Sequence, residues 1–432
     1  MTDLSMEQTA AGLSTTHGIE GSLEITPREK AILQELAMRV AELASHPIEE
    51  EKKKLWTLHN DLHQTRPLVF CDPENGWNEI ITQNQMRCEN PLSRIWEMAL
   101  RKEIFWGERM QDDRVIEPFF NVPHHYVDTG YGIAEKVFKI DDQGSYVWDS
   151  PIKDYETDFP KLRFPEILAD EERTMSILSA AERIFGDILR VRIKGIWWWT
   201  LGMTWDFIKL RGLENLMVDM LLNPQWVHRL MDFLCQALHR KLDFLQSNGM
   251  LSLNTDGTYV GSGGFGWTTA LPANGYNPAR VRTIDMWGFA ESQETVGVSP
   301  ELYNEFIFPY QKTILDRFGL NCYGCCEPLD KRWHYVKNFP RLRRVSVSPW
   351  SDVEQMAEFL QADYILSLKP SPVPLAQPNL DEGAIRDELR RNLRATRNCR
   401  VEVIMKDNHT LGGNPENAVR WVRIAQEEAR NL

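Results

Sequence analysis

Apolar residues recur along this chain in two periods. Pro27 opens the segment PREKAILQELAMRVAELAS, in which Ile32, Leu33, Leu36 and Val40 fall at helical spacing. A second helix is predicted over 48–63. Beyond it, short apolar runs alternate with amphipathic stretches, as βα units around a parallel sheet require. The runs at 67–71, 115–120, 195–200, 251–255, 321–325, 344–347, 364–368 and 400–405 supply eight candidate strands. Eight fit a (β/α)8 TIM barrel, an α/β fold, spanning residues 65–432 behind an N-terminal arm and helices at 1–64. Three helix starts share one device, a small polar residue before proline, at Asn223-Pro224, Ser299-Pro300 and Asn414-Pro415. Residues 1–26 are polar and aperiodic, the pattern of a loose arm. Two connections, 121–190 and 256–320, exceed a minimal barrel's loops. Both are expected to rise from the C-terminal face of the strands, where barrel active sites lie.

Composition narrows the function. The chain has 432 residues, with 49 basic and 62 acidic side chains and a formal charge of −13. That balance disfavours nucleic acid and anionic membrane as partners. No apolar run approaches the roughly 18 residues of a membrane span, and the start lacks the pattern of a secretory signal. A soluble, cytoplasmic globule is expected, with its 7 cysteines reduced. The 15 tryptophans are ample for core and for flat walls around a planar ligand.

Candidate chemistry gathers at strand ends. In Asn321-Cys322-Tyr323-Gly324-Cys325-Cys326-Glu327, strand alternation puts Tyr323, Cys325 and Glu327 on one face. If that face looks into the barrel mouth, a thiolate and a carboxylate meet there, a pair suited to zinc. Buried free cysteines are the plain alternative. His409 follows the last strand in Lys406-Asp407-Asn408-His409, where a third ligand or a catalytic group would sit. Asp256 ends the fourth candidate strand, and Glu291 and Glu294 in WGFAESQE are possible acids or bases, or simply acids favoured by a helix dipole. Gly261-x-Gly263-x-x-Gly266 matches a dinucleotide fingerprint formally, but no helix follows it. Those glycines are expected to form a mobile active-site loop. Trp197, Trp199, Tyr259, Trp267, Trp287, Tyr323 and His124 are candidate substrate-binding residues.

Two segments carry a resemblance. IWWWTLGMTWDFIKLRGLENLMVDMLLNPQWVHRLMDFL and VGVSPELYNEFIFPYQKTIL resemble the uroporphyrinogen decarboxylase superfamily. The likeness covers most of 65–430 and implies its barrel. True decarboxylases carry an arginine-rich MRQAGR segment after the first strand, whereas this chain reads Cys71-Asp72-Pro73-Glu74-Asn75-Gly76-Trp77. Porphyrinogen decarboxylation is therefore not expected. The corrinoid-linked methyltransferases of the superfamily bind zinc through His-x-Cys and a later Cys. Here Cys325 matches, Tyr323 stands in place of the His, and the later Cys is absent near 367–370.

The resemblance thus implies a methyltransferase that demethylates a small methylated substrate, such as a methoxylated aromatic. Methyl would pass to the reduced cobalt of a corrinoid carried by a partner protein, since no Asp-x-His-x-x-Gly corrinoid motif occurs here. Zinc on Cys325, Glu327 and His409 would polarise the ether oxygen, or a neighbouring acid would protonate it. Transfer from corrinoid to a thiol is one alternative. A hydrolase using Asp256 and Glu294, and a non-catalytic binder of planar ligands, are two more. Whether the chain forms a homodimer is left open.

Overall fold

The computed structural model describes residues 23–139 and 146–431. Most of the predicted loose arm lies outside them. Helix α1 (Pro27–Ala44) starts at Thr26, whose Oγ1 accepts the Glu29 N–H while Glu29 returns a carboxylate to Thr26 N–H, both at 3.2 Å. Helix α2 (Pro47–Asn60) ends three residues before 63, where Leu62 turns to a positive φ of 64°. The expected helix at Pro300 is split in two, Pro300–Phe306 and Phe308–Leu315. Pro309 lacks the N–H that a continuous helix would need there.

The architecture is mixed α/β, built on a six-stranded parallel sheet. The parallel strands are β1 (Leu68–Cys71), β2 (Phe119–Val122), β3 (Arg190–Ile193), β4 (Trp287–Ala290), β5 (Leu320–Tyr323), β6 (Leu342–Val347), β7 (Ile365–Leu368) and β8 (Arg400–Met405). The sheet runs β1-β8-β7-β6-β5-β4, and β2 pairs with β3 alone. First and last strands are thus neighbours, with Leu68 opposite Glu402, a wrap consistent with a TIM-barrel-like fold. The ladder does not close continuously. At the free edge of β1, the Asp113 and Asp112 carboxylates accept the Val69 and Cys71 N–H groups at 2.7 and 3.0 Å. The 121–190 connection carries two antiparallel ribbons, Tyr126–Asp128 with Ile167–Ala169 and Lys136–Lys139 with Tyr146–Asp149.

Two strand expectations are corrected. The third strand lies at Arg190–Ile193 rather than 195–200, because the Trp197 indole folds back over Gly195 to donate to Met250 O at 3.0 Å. The fourth is Trp287–Ala290, not 251–255. Residues 251–255 run beside it, but side chains replace the ladder. The Asn254 amide both donates to Trp287 O and accepts its N–H, each at 2.9 Å. An amide side chain mimics a peptide group, so the apolar run is extended without being a strand.

The glycine-rich stretch is likewise no mobile loop. Residues 261–267 are all buried. They thread through the interior of the sheet, past Cys322 at Gly261, past Ile404 and Lys369 at Gly263, and against Arg344 and Glu402 at Gly264. Gly261, Gly263 and Gly264 have φ of 73°, 131° and 83°, conformations that side-chain-bearing residues rarely adopt. A Cβ on Gly266 would meet Asn254 O at 1.7 Å. Asn60, at the end of α2, anchors the thread by donating to Phe265 O and Trp267 O at 2.8 and 2.7 Å.

Beneath the thread lies a buried ion pair, Arg344 Nε to Glu402 Oε1 at 3.0 Å, with His59 Nε2 3.3 Å from the other oxygen. Arg344 also donates to Asn60 Oδ1 at 2.7 Å. Among the described residues no helix is long and apolar enough to cross a membrane.

Replacing Glu402 with Gln strands Arg344 without its counter-charge, so unfolding free energy in urea should fall by about 3–5 kcal/mol. Burial opposes the Glu402 charge, yet Arg344, His59 and Lys369 hold its carboxyl down to about 2. Its contribution is therefore complete above the usual value of 4.5 and is lost as pH falls towards about 2. Over that window, stability of Glu402→Gln should change less with pH than that of the parent protein.

Candidate active site

Five strand ends deliver polar side chains to one face of the sheet. β1 runs into Asp72 and Glu74, β4 into Glu291 and Glu294, β5 into Cys325, Cys326 and Glu327, β7 into Lys369, and β8 into Lys406, Asp407 and Asn408. Period-two alternation aims Glu402, Ile404 and Lys406 of one strand inward in succession. Lys406 is buried at the centre of this set. Its Nζ lies 3.5 Å from Glu74 Oε1 and 6.0 Å from the ring centres of both Trp199 and Tyr259. Burial works against its charge, but Tyr259, Glu74, Cys325 and Asp407 hold the ammonium well above its ordinary value.

Lys406 and the buried Lys102 together do not hold every carboxyl around them in its charged form. Asp72, with no exposed surface, is pushed up to about 7 by burial and by the neighbouring Glu74. Its Oδ1 accepts the Glu74 N–H at 3.1 Å, while Oδ2 is buried without a protein partner. Glu291 is pushed well above the usual carboxylate range by burial, then by Glu294, Glu327 and Cys325. Its Oε1 has no partner either, and nor does the Tyr259 hydroxyl. Buried polar atoms are nearly always hydrogen-bonded, so unpartnered ones at strand ends mark where a ligand's polar groups would bind.

The expected alternation through β5 fails at one residue. Tyr323 points away from the mouth and packs on Phe339, its hydroxyl donating to Gln311 Oε1 at 2.8 Å and accepting from Tyr303. Cys322 is the residue that faces the interior, beside Gly261. Gly324 then takes a φ of 92°, and the swing carries Cys325 back to the mouth despite its odd position. There its sulfur accepts the Ser262 hydroxyl at 3.2 Å, a contact supplied by the glycine thread.

Of the other residues singled out in the sequence, few meet there. Glu327 is buried, but its two oxygens accept the Ser292 and Cys325 N–H groups at 2.8 and 2.9 Å, so it braces the loop. His409 is exposed. Asp256 sits in a turn, bound by Lys194 at 2.6 Å and Arg192 at 2.9 Å; despite burial, these cations hold it down to about 2. A carboxylate so neutralised is a poor proton carrier. Glu294 accepts the Thr204 hydroxyl at 2.7 Å and is raised by burial.

Among the aromatics, Trp199 and Tyr259 flank Lys406. Trp197 stacks with His124 at 5.3 Å, Trp267 lies against Phe265, and Trp287 donates to Gly266 O under the Arg344 guanidinium. These are core and thread contacts, and with Tyr323 they leave the mouth to Trp199 and Tyr259.

Asp72 and Lys406 were not singled out in the sequence, although each directly follows a strand. A nearby cluster was also missed: Glu117, pushed up to about 7 by burial and by Asp256, lines a cavity of about 70 Å³ with Arg192 and Lys194. Glu117 precedes its strand, so no strand-end rule finds it.

Cys325, Glu327 and His409 do not fit a zinc ion, since one carboxylate is committed to backbone amides and the imidazole is at the surface. Among the described residues there is no group of three or more His, Cys, Asp and Glu side chains placed to hold a metal ion.

No family model matches the chain, and no curated protein matches it. Among solved structures, the fold is similar to that of a methyltransferase from Methanosarcina mazei. The match covers 87% of this chain and 98% of that one, with a TM-score of 0.50 and 11% identity. At that identity the likeness concerns the fold.

The contrast between the two expected ligands is measurable. Glu327→Gln loses the charge on two buried amide contacts and should lower stability by about 1–3 kcal/mol in urea unfolding. His409→Ala should stay within about 0.5 kcal/mol of the parent, as exposed substitutions do. It should also leave the zinc content, measured by elemental analysis after zinc-replete purification, unchanged.

Proposed function

We propose that this protein is a methyltransferase that removes the methyl group of a small methylated substrate, a methoxylated aromatic in our reading. The observation that carries the proposal is the pairing, at one set of strand ends, of a carboxyl held near neutrality with a buried ammonium. Asp72 is pushed up to about 7, and Lys406 stays charged beside it. The fold shared with the methanosarcinal methyltransferase supports the reading, as do the closed (β/α)8 arrangement we infer from the wrap of β1 onto β8 and the resemblance to the uroporphyrinogen decarboxylase superfamily.

A reduced corrinoid on a partner protein, when bound at the mouth, would supply the nucleophile that accepts the methyl group. The chain's own residues have a different task, because an aryl oxide is a poor leaving group unless its developing charge is met. Trp199 and Tyr259 hold the ring flat. Asp72 carries the proton that the departing oxygen takes, and Lys406 offsets negative charge growing on that oxygen. Both act where water is largely excluded, which strengthens each interaction. Protonation by an acid thus takes the role first expected of zinc. A hydrolase built on Asp256 and Glu294 is less well supported, because Asp256 is bound by two cations.

The test is methyl transfer from methoxylated aromatics to a reduced corrinoid protein, followed by cobalt absorbance. Asp72→Asn should lower kcat by about 10²–10⁴ with the fold intact. In the parent protein kcat should fall as pH rises through about 7, the value at which Asp72 loses its proton. An unaltered rate in Asp72→Asn, or no transfer from any methoxylated aromatic, would refute the reading.

A further inference from the structure

Cys325 and Cys326 are adjacent in sequence and lie with their sulfurs 3.6 Å apart, while all seven cysteines of the chain are free. Their surroundings differ. Cys325 is buried at 3% exposure and holds the Ser262 hydroxyl. Cys326 is half-buried, at the solvent side of the pair, and its thiol points at the Asp407 carboxylate at 3.4 Å. Cys322, the other cysteine on this strand, faces Arg344 Nη1 at 3.6 Å and lies against Gly261 of the glycine thread. The reaction proposed above uses neither sulfur of the pair.

A sulfur beside the Lys406 ammonium and a second, more accessible thiol in contact with it are the components of thiol oxidation. We infer that Cys325 and Cys326 form an oxidation site that closes to a vicinal disulfide on exposure to hydrogen peroxide. In the first step the Cys325 thiol, held below its ordinary value by the Cys326 hydrogen bond and by Lys406, gives up its proton and its sulfur attacks a peroxide oxygen. The O–O bond breaks, Cys325 becomes a sulfenic acid, and the departing hydroxide takes the proton that Cys325 gave up and leaves as water. In the second step the Cys326 sulfur attacks that of Cys325. The S–S bond forms, the S–O bond breaks, and the Cys326 proton leaves with the hydroxide as a second water. Peroxide is the oxidant, and the two thiols are the reductant.

The sulfurs have to approach from 3.6 Å to about 2.05 Å. Adjacent Cα atoms lie about 3.8 Å apart, below the usual disulfide range of about 4.4–6.8 Å, so the closed ring is strained and readily reduced. Closure removes the thiol hydrogen from Asp407 and changes the group that Ser262 and Lys406 meet, so the mouth changes with the oxidation state.

The experiment treats the full chain with hydrogen peroxide, then counts thiols by alkylation in denaturant and maps disulfides by mass spectrometry. Five alkylatable cysteines rather than seven are expected, with a loss of two hydrogens on the peptide carrying both residues and full reversal by dithiothreitol. Cys326→Ser should form no disulfide, and Cys322→Ser should still lose two thiols. As a check that needs no oxidant, phenylarsine oxide, which bridges neighbouring thiols, should bind one equivalent to the parent and none to Cys326→Ser. Asp407→Asn, which removes a charge that disfavours both thiolates, should speed closure without changing its end point. A disulfide that includes Cys322, a sulfonic acid on Cys325 alone, or seven thiols surviving peroxide would each overturn the proposal. None of these readouts depends on methyl transfer, so failure here and failure of the proposed function are separable.

Discussion

The arrangement of this protein depends on a length of backbone threaded through the middle of its sheet. Residues 261–267 occupy space that side chains from opposing strands fill in an ordinary barrel interior. Backbone brought into a core has to be hydrogen-bonded, and Asn60 answers for two of its carbonyls. Asn60 is in turn gripped by Arg344, and Arg344 by Glu402. The charged pair at the floor is therefore more than an isolated ion pair in a core, because it fixes the amide that fixes the thread. The thread then sets the floor of the mouth and brings Tyr259 and Ser262 to it, from a segment remote in sequence from the strand ends they meet.

Above the floor, the chemistry follows from an imbalance of charge. Lys406 and Lys102 stand among Glu74, Asp72 and Asp407, and burial with the neighbouring Glu74 pushes Asp72 up to about 7. Asp256, shortly before the thread, is bound directly by Lys194 and Arg192 and stays ionised, while the neighbouring Glu117 is the carboxyl pushed up to about 7. The same side chain thus becomes a proton carrier at one place and a fixed charge at another through its neighbours alone.

Several features were legible in the sequence for reasons that are local. Proline at the first helical turn after a small polar residue fixed the starts near Pro224 and Pro300, and the helical spacing of Ile32, Leu36 and Val40 identified α1. The strands at 68, 320, 342, 365 and 400 were visible as apolar runs because both of their faces are buried. The run at 251–255 alternates Leu251 and Leu253 with polar residues and is only partly buried, and its partner contacts are made by the Asn254 side chain, a choice that no hydrophobic pattern records.

Composition and periodicity determined the class of fold, the helix boundaries and the end of the sheet at which chemistry collects, because these depend on residues close together in the chain. They also marked Cys325 as a residue of the mouth, though by an alternation that Gly324 breaks and then restores. Tertiary structure alone decided that the glycines pass through the core, that Glu327 braces a loop, that His409 stays in solvent, and that Asp72 and Lys406 stand together. Those outcomes depend on exposure and on contacts such as Ser292 with Glu327 and Lys406 with Glu74 that join distant parts of the chain, and a charge or a hydrogen bond takes its meaning from what surrounds it in space.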